Sequence, residues 1–282
     1  MRAALIYHEK NQSVYPLLRE VVAYLTQRGV EMISASPDEI GFLSTDLHPQ
    51  AFADCDFCVV FGGDGTFLAA ARCLFCVDVP FFSVNLGKIG FLTQVELAQV
   101  FPALDCFLHH KYAVKERIML QASVFRSEKK IADFSAFNDI VVRSSVSRTI
   151  KLDLTADGSE VNTFNADGLI LCTPAGSTGY SLSAGGPILF DELDVLLATP
   201  ISARTFLNRA IVLPGAARLE VLLKGERDQA VLTADGQESI ALFSGDQVEV
   251  CLADKKAKVI YFGEHDYFQR IKEKLYRSET NN

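Results

Sequence analysis

An apolar run, Phe57-Cys58-Val59-Val60-Phe61, ends in Gly62-Gly63-Asp64-Gly65-Thr66 and continues as Phe67-Leu68-Ala69-Ala70-Ala71-Arg72. Strand, tight glycine turn and helix, in that order, confine this part of the chain to a layered α/β fold. Backbone N–H groups left over at the helix start point where the helix dipole also points, so the junction is an anion cradle. Gly62, Gly63 and Gly65 let the backbone approach a phosphate, and some of them are expected at φ > 0. Thr66 either caps the helix or bonds phosphate. A carboxylate, Asp64, is out of place in a plain phosphate holder. It puts a base, or a magnesium-linked group, beside the phosphate, which points to phosphoryl transfer.

The flanking pattern extends this unit. Residues 2–8 read as a strand, 14–28 as an amphipathic helix capped by Gly29, Val30–Ser34 as a strand and Pro80–Asn85 as another. Strand and helix alternate, which implies a parallel sheet with right-handed crossovers and a ligand at the carboxyl ends of its strands. After a helix over Glu96–His110 the texture becomes short, β-rich runs broken by turns, among them Asp157-Gly158 and Asp235-Gly236. The expected domains are an α/β unit over 1–110, joined by 263–282, and an all-β, sandwich-like unit over 111–262. A helix over His265–Tyr276 is expected to pack back on the first unit.

A net charge of −8 excludes a general nucleic-acid or membrane-surface binder, while leaving room for a locally held anion. No signal peptide is visible and no apolar run is long enough to span a bilayer. Seven cysteines, an odd number, fit a reducing cytoplasm. Cys55-x-x-Cys58 and Cys73-x-x-Cys76 stand fourteen residues apart, near a zinc-ribbon spacing. Strand geometry is expected to send Cys55 and Cys58 to opposite faces, which favours buried, inert thiols over zinc. Ser177 lies in Ala175-Gly176-Ser177-Thr178-Gly179. Position 175 is not glycine and no His or Asp partner is suggested, so a serine hydrolase does not follow.

A second glycine-rich stretch, Asp167 to Pro187, carries Thr-Pro-Ala-Gly-Ser-Thr-Gly-Tyr over 173–180. Together with Gly62–Thr66, Val84–Leu92, Asn138-Asp139 and Asp235-Gly236-Gln237, it makes the chain resemble the NAD kinases. The resemblance spans most of the chain. Gly-Gly-Asp-Gly-Thr alone also occurs in lipid kinases and phosphofructokinases. The resemblance implies transfer of the terminal phosphoryl group of ATP to the 2′-hydroxyl of the adenosine ribose of NAD. It further implies a divalent metal, magnesium foremost, and a homodimer or homotetramer. Another nucleoside triphosphate or polyphosphate remains open as donor.

Carried onto this sequence, the resemblance makes Asp64 the general base. NAD would be contacted by Asp64, Gly65, Asn138, Asp139, Arg148, Asn165, Asp167, Ala175, Thr178, Gly179, Tyr180, Ser181, Leu182, Ser183 and Gln237. The hydroxyls of Thr173 and Ser177 would join them around adenine and ribose. Donor phosphates would meet Gly62, Gly63, Thr66 and Arg72, with Lys88 and Arg117 as further cations, because no Walker lysine follows the glycine turn. Two positions depart from the family. Asp139 stands where Glu is usual, one methylene shorter, and Ala175 stands where Thr is common. Arg148 is placed to serve an NAD phosphate from a neighbouring subunit, or is a solvated surface charge. Two other readings remain open: a lipid or sugar kinase, and a catalytically silent NAD(H) sensor.

Overall fold

The computed structural model describes residues 1–8, 14–35, 39–87, 92–146, 148–204, 208–225, 229–263 and 271–272. The chain forms two compact units, Met1–Glu116 with Lys255–Asn282, and Arg117–Asp254.

The first unit contains β1 (Arg2–Tyr7), α1 (Tyr15–Thr26), β2 (Glu31–Ile33), β3 (Phe42–Leu43), β4 (Phe57–Gly62) and α2 (Asp64–Leu74). These are followed by β5 (Phe81–Asn85), β6 (Val95–Glu96), α3 (Val100–Leu108) and β7 (Ala113–Arg117). The main strand order is β2-β1-β4-β5, and β1, β4 and β5 pair in parallel. Strand β4 lies between two partners and is buried along its whole length, which is why its sequence is apolar without alternation. Helix α1 buries Leu18, Val21 and Leu25, one stripe of its surface. Its cap residue is Gln27. Gly29, at φ 79°, supplies the left-handed turn two residues later. The segment expected as one helix from Glu96 divides into a 3-10 turn over Leu97–Gln99 and α3.

The second unit contains β8 (Leu120–Arg126), β9 (Lys129–Ala136), β10 (Asp139–Ser144), β11 (Ile150–Ala156), β12 (Ser159–Ala166) and β13 (Gly168–Cys172). A 3-10 turn at Ala175–Thr178 and the single-turn helix α4 (Tyr180–Ser183) come next. Then follow β14 (Val195–Ile201), β15 (Ile211–Pro214), β16 (Leu219–Leu223), β17 (Gln229–Ala234), β18 (Glu238–Phe243) and β19 (Gln247–Leu252). They form two six-stranded sheets, β15-β14-β13-β10-β17-β18 and β12-β11-β16-β19-β8-β9. One core joins both sheets, with Ile140, Leu169, Leu171 and Leu232 from the first packed with Leu120, Leu152, Phe164 and Val221 from the second. This is sandwich packing driven by alternate inward apolar residues. The turns Asp157-Gly158 (φ 50° and 76°) and Asp235-Gly236 (φ 50° and 66°) have both residues left-handed, as tight hairpins require.

One strand changes sides. β20 (Ala257–Tyr261), expected with the β-rich half, pairs in parallel with β5 in the first sheet. Its Ala-Lys-Val-Ile-Tyr pattern suits either sheet, and only long-range pairing decides between them. The expected helix over His265–Tyr276 lies outside the described residues, apart from 271–272.

Candidate active site

In the first unit the cradle is built by backbone. β4 ends at Gly62, Gly63 is the helix cap in extended conformation (φ −96°), and α2 begins at Asp64. The helix therefore starts three residues earlier than its apolar run. Asp64 and Gly65 belong to its first turn, not to a loop. Neither Gly62 nor Gly63 has positive φ. Space, not handedness, demands the first of them: a Cβ on Gly62 would overlap the Thr66 side chain. No side chain caps α2, so Thr66 is not a cap; it is buried and folded back onto Gly62. The Leu92 N–H donates to Asp64 Oδ1 at 3.0 Å, anchoring the carboxylate at the positive end of the helix.

Gly62 pairs with Asn85 at the carboxyl ends of β4 and β5. Beyond β5 a cavity of about 400 Å³ is lined by Asn85, Leu86, Gly87, Glu96, Leu97 and Ala98. The open ground thus lies at the strand ends where a parallel sheet places its ligand. Arg72 does not reach the cradle: it stands in the last turn of α2, about 12 Å along the axis from Asp64. Lys88 lies outside the described residues. Arg117 is buried and paired with Asp191 at 2.6 Å, which commits it to the second unit.

In the second unit the site is built by side-chain hydrogen bonds. Asn138 and Asp139 stand at the entry to β10. The Asp235 carboxylate accepts from the N–H groups of Phe137 (2.9 Å), Asn138 (2.8 Å) and Asp139 (3.2 Å). The Asp235 N–H in turn donates to the Asp139 carbonyl at 2.9 Å. Thr173 Oγ1 donates to the Phe137 carbonyl at 2.7 Å and accepts from the Gly176 N–H at 3.1 Å. Gly176 lies so close that a Cβ there would overlap the Asn138 carbonyl, and Gly179 faces the Asn138 amide and the Asp139 carboxyl.

Within this frame Asn138 Oδ1 is buried and has no hydrogen-bond partner among the described residues. Such an acceptor is costly unless something else supplies a donor. Burial, reinforced by the neighbouring Asp235 charge, pushes the Asp139 carboxyl up to about 7. A half-buried amide with its oxygen turned inward, beside a buried carboxyl, is suited to reading the hydrogen-bonding edge of a polar ligand.

The hydroxyls of the 173–183 stretch divide. Thr173 and Ser177 are fully buried and spent inside: Ser177 Oγ donates to the Pro174 carbonyl at 2.6 Å and accepts from the Leu189 N–H at 3.0 Å. Ser181 is likewise buried, bonded to Thr199 Oγ1 at 2.8 Å. These three brace the pocket and do not line it. Ala175, Thr178, Gly179 and Leu182 are half-buried, while Tyr180 and Ser183 are exposed. Gln237 is exposed just after the Asp235-Gly236 turn.

Arg148, Asn165 and Asp167 form a separate, exposed group. The Asp167 carbonyl accepts from the Ser144 N–H at the far end of β10. The five-residue ladder between β10 and β13 separates this end from Asp139 by roughly 13 Å. A second cavity of about 500 Å³, lined by Gln121, Arg218, Glu220, Glu249 and Cys251 among others, contains none of the residues expected at the site.

The cysteine geometry differs from the expectation. Cys55 lies in the turn before β4 begins at Phe57, so strand alternation does not govern it, and the Cys55 and Cys58 thiols hydrogen bond to each other. Burial pushes the Cys58 thiol well up. Among the described residues no three His, Cys, Asp or Glu side chains come together to hold a metal ion.

In the sequence Asp235 reads as half of a turn and as part of the Asp235-Gly236-Gln237 motif, and nothing there marks it as the hub of the pocket. The signal that could have found it is a general one: an Asp in the first position of a tight hairpin can turn its carboxylate onto nearby N–H groups.

The chain is similar to known proteins along most of its length. Residues 4–112 match the family model of the ATP-NAD kinase N-terminal domain, and residues 138–262 that of the ATP-NAD kinase C-terminal domain. An NAD kinase of Citrifermentans bemidjiense is 40% identical over 263 residues, 91% of each chain. One of Geotalea daltonii is 41% identical over 231 residues, 82% of this chain and 80% of the relative. Among solved structures, an NAD kinase from Archaeoglobus fulgidus in complex with ATP superposes with TM-score 0.75 at 27% identity, covering 96% of this chain and 99% of that one. Yeast NADH kinase complexed with NADH shares the fold, with TM-score 0.85 at 23% identity over 98% of this chain and 87% of its own.

Proposed function

The chain belongs to the NAD kinase family and phosphorylates NAD with ATP, and on that premise we propose that Asp64 is its general base. The acceptor is the 2′-hydroxyl of the adenosine ribose. That hydroxyl is a weak nucleophile until a carboxylate orients it and takes its proton. As the ribose oxygen bonds to the terminal phosphorus of ATP, its proton passes to Asp64 and the bond to ADP breaks. The observation that carries this reading is the position of Asp64: first residue of α2, directly after the Gly62-Gly63 turn, with Oδ1 held by the Leu92 N–H.

Asn138 and Asp139 read the dinucleotide. The buried Asn138 Oδ1 takes a donor from a base edge, and the Asp139 carboxyl takes ribose hydroxyls. Ala175, Thr178, Gly179, Tyr180, Leu182, Ser183 and Gln237 supply backbone and edges around them, and Gly65 contacts NAD next to Asp64. The first-turn N–H groups of α2 and the backbone of Gly62 and Gly63 hold donor phosphates. A magnesium ion suits these residues if triphosphate oxygens and water carry it, since no protein cage is formed among the described residues. Bound there, it neutralises phosphate charge.

The separation of Arg148, Asn165 and Asp167 from Asp139 supports a homodimer or homotetramer in which that group serves NAD held by another copy. Among the described residues no helix is long and apolar enough to cross a membrane, and all seven cysteines are free thiols. Together these fit work in the cytoplasm.

The test is NADP formation from NAD, ATP and magnesium, read by a coupled NADP-specific dehydrogenase. In Asp64→Asn, turnover is expected to fall by about 10²-fold or more while the Kd for NAD stays within a few-fold. Unchanged turnover would remove Asp64 from the mechanism. Measurable NAD binding with no product from any donor would point to a silent sensor.

A further inference from the structure

The densest polar network around the site centres on a residue to which the reading above gives no role. Asp235 presents one carboxylate to three successive N–H groups, those of Phe137, Asn138 and Asp139, at 2.9, 2.8 and 3.2 Å. Its own N–H closes the loop onto the Asp139 carbonyl. The turn that carries it is locked left-handed at Asp235 and Gly236. Three donors on one carboxylate fix the backbone at the entry to β10, and with it the directions of the Asn138 and Asp139 side chains.

The same carboxylate sits beside a second one. The segments packed against Asp139 bring few titratable groups among the described residues. These are Asp235 on the β17–β18 turn and Cys172 opposite Asp139 on β13. The thiol of Cys172 is pushed up to about 12 by burial, so it stays neutral. The 175–179 segment carries no titratable side chain and leads into Tyr180. Asp235 is therefore the charge that Asp139 meets.

We propose that Asp235 is the positioning residue of the dinucleotide pocket: it fixes the Phe137–Asp139 backbone, and its negative charge, like that of Asp139 and added to the burial of Asp139, makes NAD binding depend on pH. The inference rests on the reading of Asn138 and Asp139 as the pair that meets NAD. Ribose hydroxyls donate to an ionised carboxylate, and protonation removes one acceptor. Burial, and after it the Asp235 charge, push the Asp139 carboxyl up to about 7, so the free enzyme takes up a proton there as pH falls through that range. NAD binding therefore strengthens as pH rises through the same range.

The sign for stability is opposite. Between about 4 and about 7 the folded chain holds a proton on Asp139 that the unfolded chain has released, so this carboxyl makes the fold less stable as pH rises across that window.

Two measurements on the full chain separate the parts of this inference. The first uses no ligand: the ¹³C shift of the Asp139 carboxyl is followed against pH in the wild type and in Asp235→Asn. That variant keeps an oxygen acceptor and drops the charge. The Asp139 inflection is expected near 7 in the wild type and clearly lower in the variant. An unmoved inflection overturns the charge role.

The second is the Kd for NAD by calorimetry from pH 5.5 to 9. The wild-type Kd is expected to rise by up to tenfold per pH unit below the inflection. In Asp235→Asn the break moves to lower pH, and binding above it weakens severalfold as the backbone loses part of its clamp. A wild-type Kd independent of pH, or a variant with the wild-type break, overturns the proposal. If Asp235→Asn does not fold, Asp139→Asn decides: its Kd must lose the pH break altogether, and persistence of the break overturns the inference. Failure of the function reading looks different, because the protein would then not bind NAD at any pH while the Asp139 titration stayed as expected.

Discussion

The cradle of the first unit and the pocket of the second reach tight backbone approach by different means. At Gly62, the last residue of β4, the neighbour that forbids a side chain is itself a side chain, that of Thr66 in the first turn of α2. At Gly176 the neighbour is the Asn138 carbonyl, thirty-eight residues away in the chain and part of the site's own backbone. The cradle of the first unit is thus a local object, complete once strand β4 turns into helix α2. The pocket of the second unit is a tertiary object, in which the 173–179 segment, the β10 entry and the β17–β18 turn must meet. A local site tolerates compensation from its own segment. A tertiary site held by backbone contacts does not.

The largest effect that tests this contrast is Gly176→Ala. Its Cβ has only backbone to displace, so the variant is expected to lose NAD binding beyond detection and about 3 kcal/mol of stability. Calorimetry with NAD and urea unfolding read the two. Near-normal NAD binding would break the contrast, because the pocket would then be as pliable as the cradle.

Gly62→Ala comes next. It is expected to lower turnover at least tenfold and stability by about 2 kcal/mol. Unlike the first variant, it should be rescued in turnover by Thr66→Gly, although glycine inside α2 costs about 1 kcal/mol of its own. Steady-state kinetics of the double variant make the comparison, and absence of any rescue would mean that the clash lies elsewhere.

The smallest expected effect is Thr173→Val. The shape is kept while the Gly176 N–H loses its acceptor. A stability loss of about 1 to 2 kcal/mol and a weaker Kd for NAD with kcat little changed are expected. An equal fall in kcat and kcat/KM would place Thr173 at the reacting atoms instead of behind the pocket.

Much of this was legible in the chain itself. The run from Phe57 to Arg72 specifies strand, turn and helix through local apolar pattern and glycine placement, and β4 and α2 follow it closely. The Asp157-Gly158 and Asp235-Gly236 dipeptides specify tight hairpins, because few residues other than Asp, Asn and Gly accept left-handed backbone there. Asp64 stands out locally as a carboxylate inside a glycine turn, whereas Asn138 and Asp139 stand out only through the resemblance to the NAD kinases. What could not be read locally depends on which distant segments meet. The hydroxyls of Thr173, Ser177 and Ser181 look like ligand groups in sequence, but burial turns them inward to brace the pocket. Arg117 looks like a free cation until Asp191 closes on it. Cys55 seems to face away from Cys58 until the strand is seen to begin after it. β20 belongs to the first sheet only because β5 offers an edge at the right height. Short-range sterics and backbone handedness are written into adjacent residues, whereas burial, pairing and charge proximity exist only once the chain has folded.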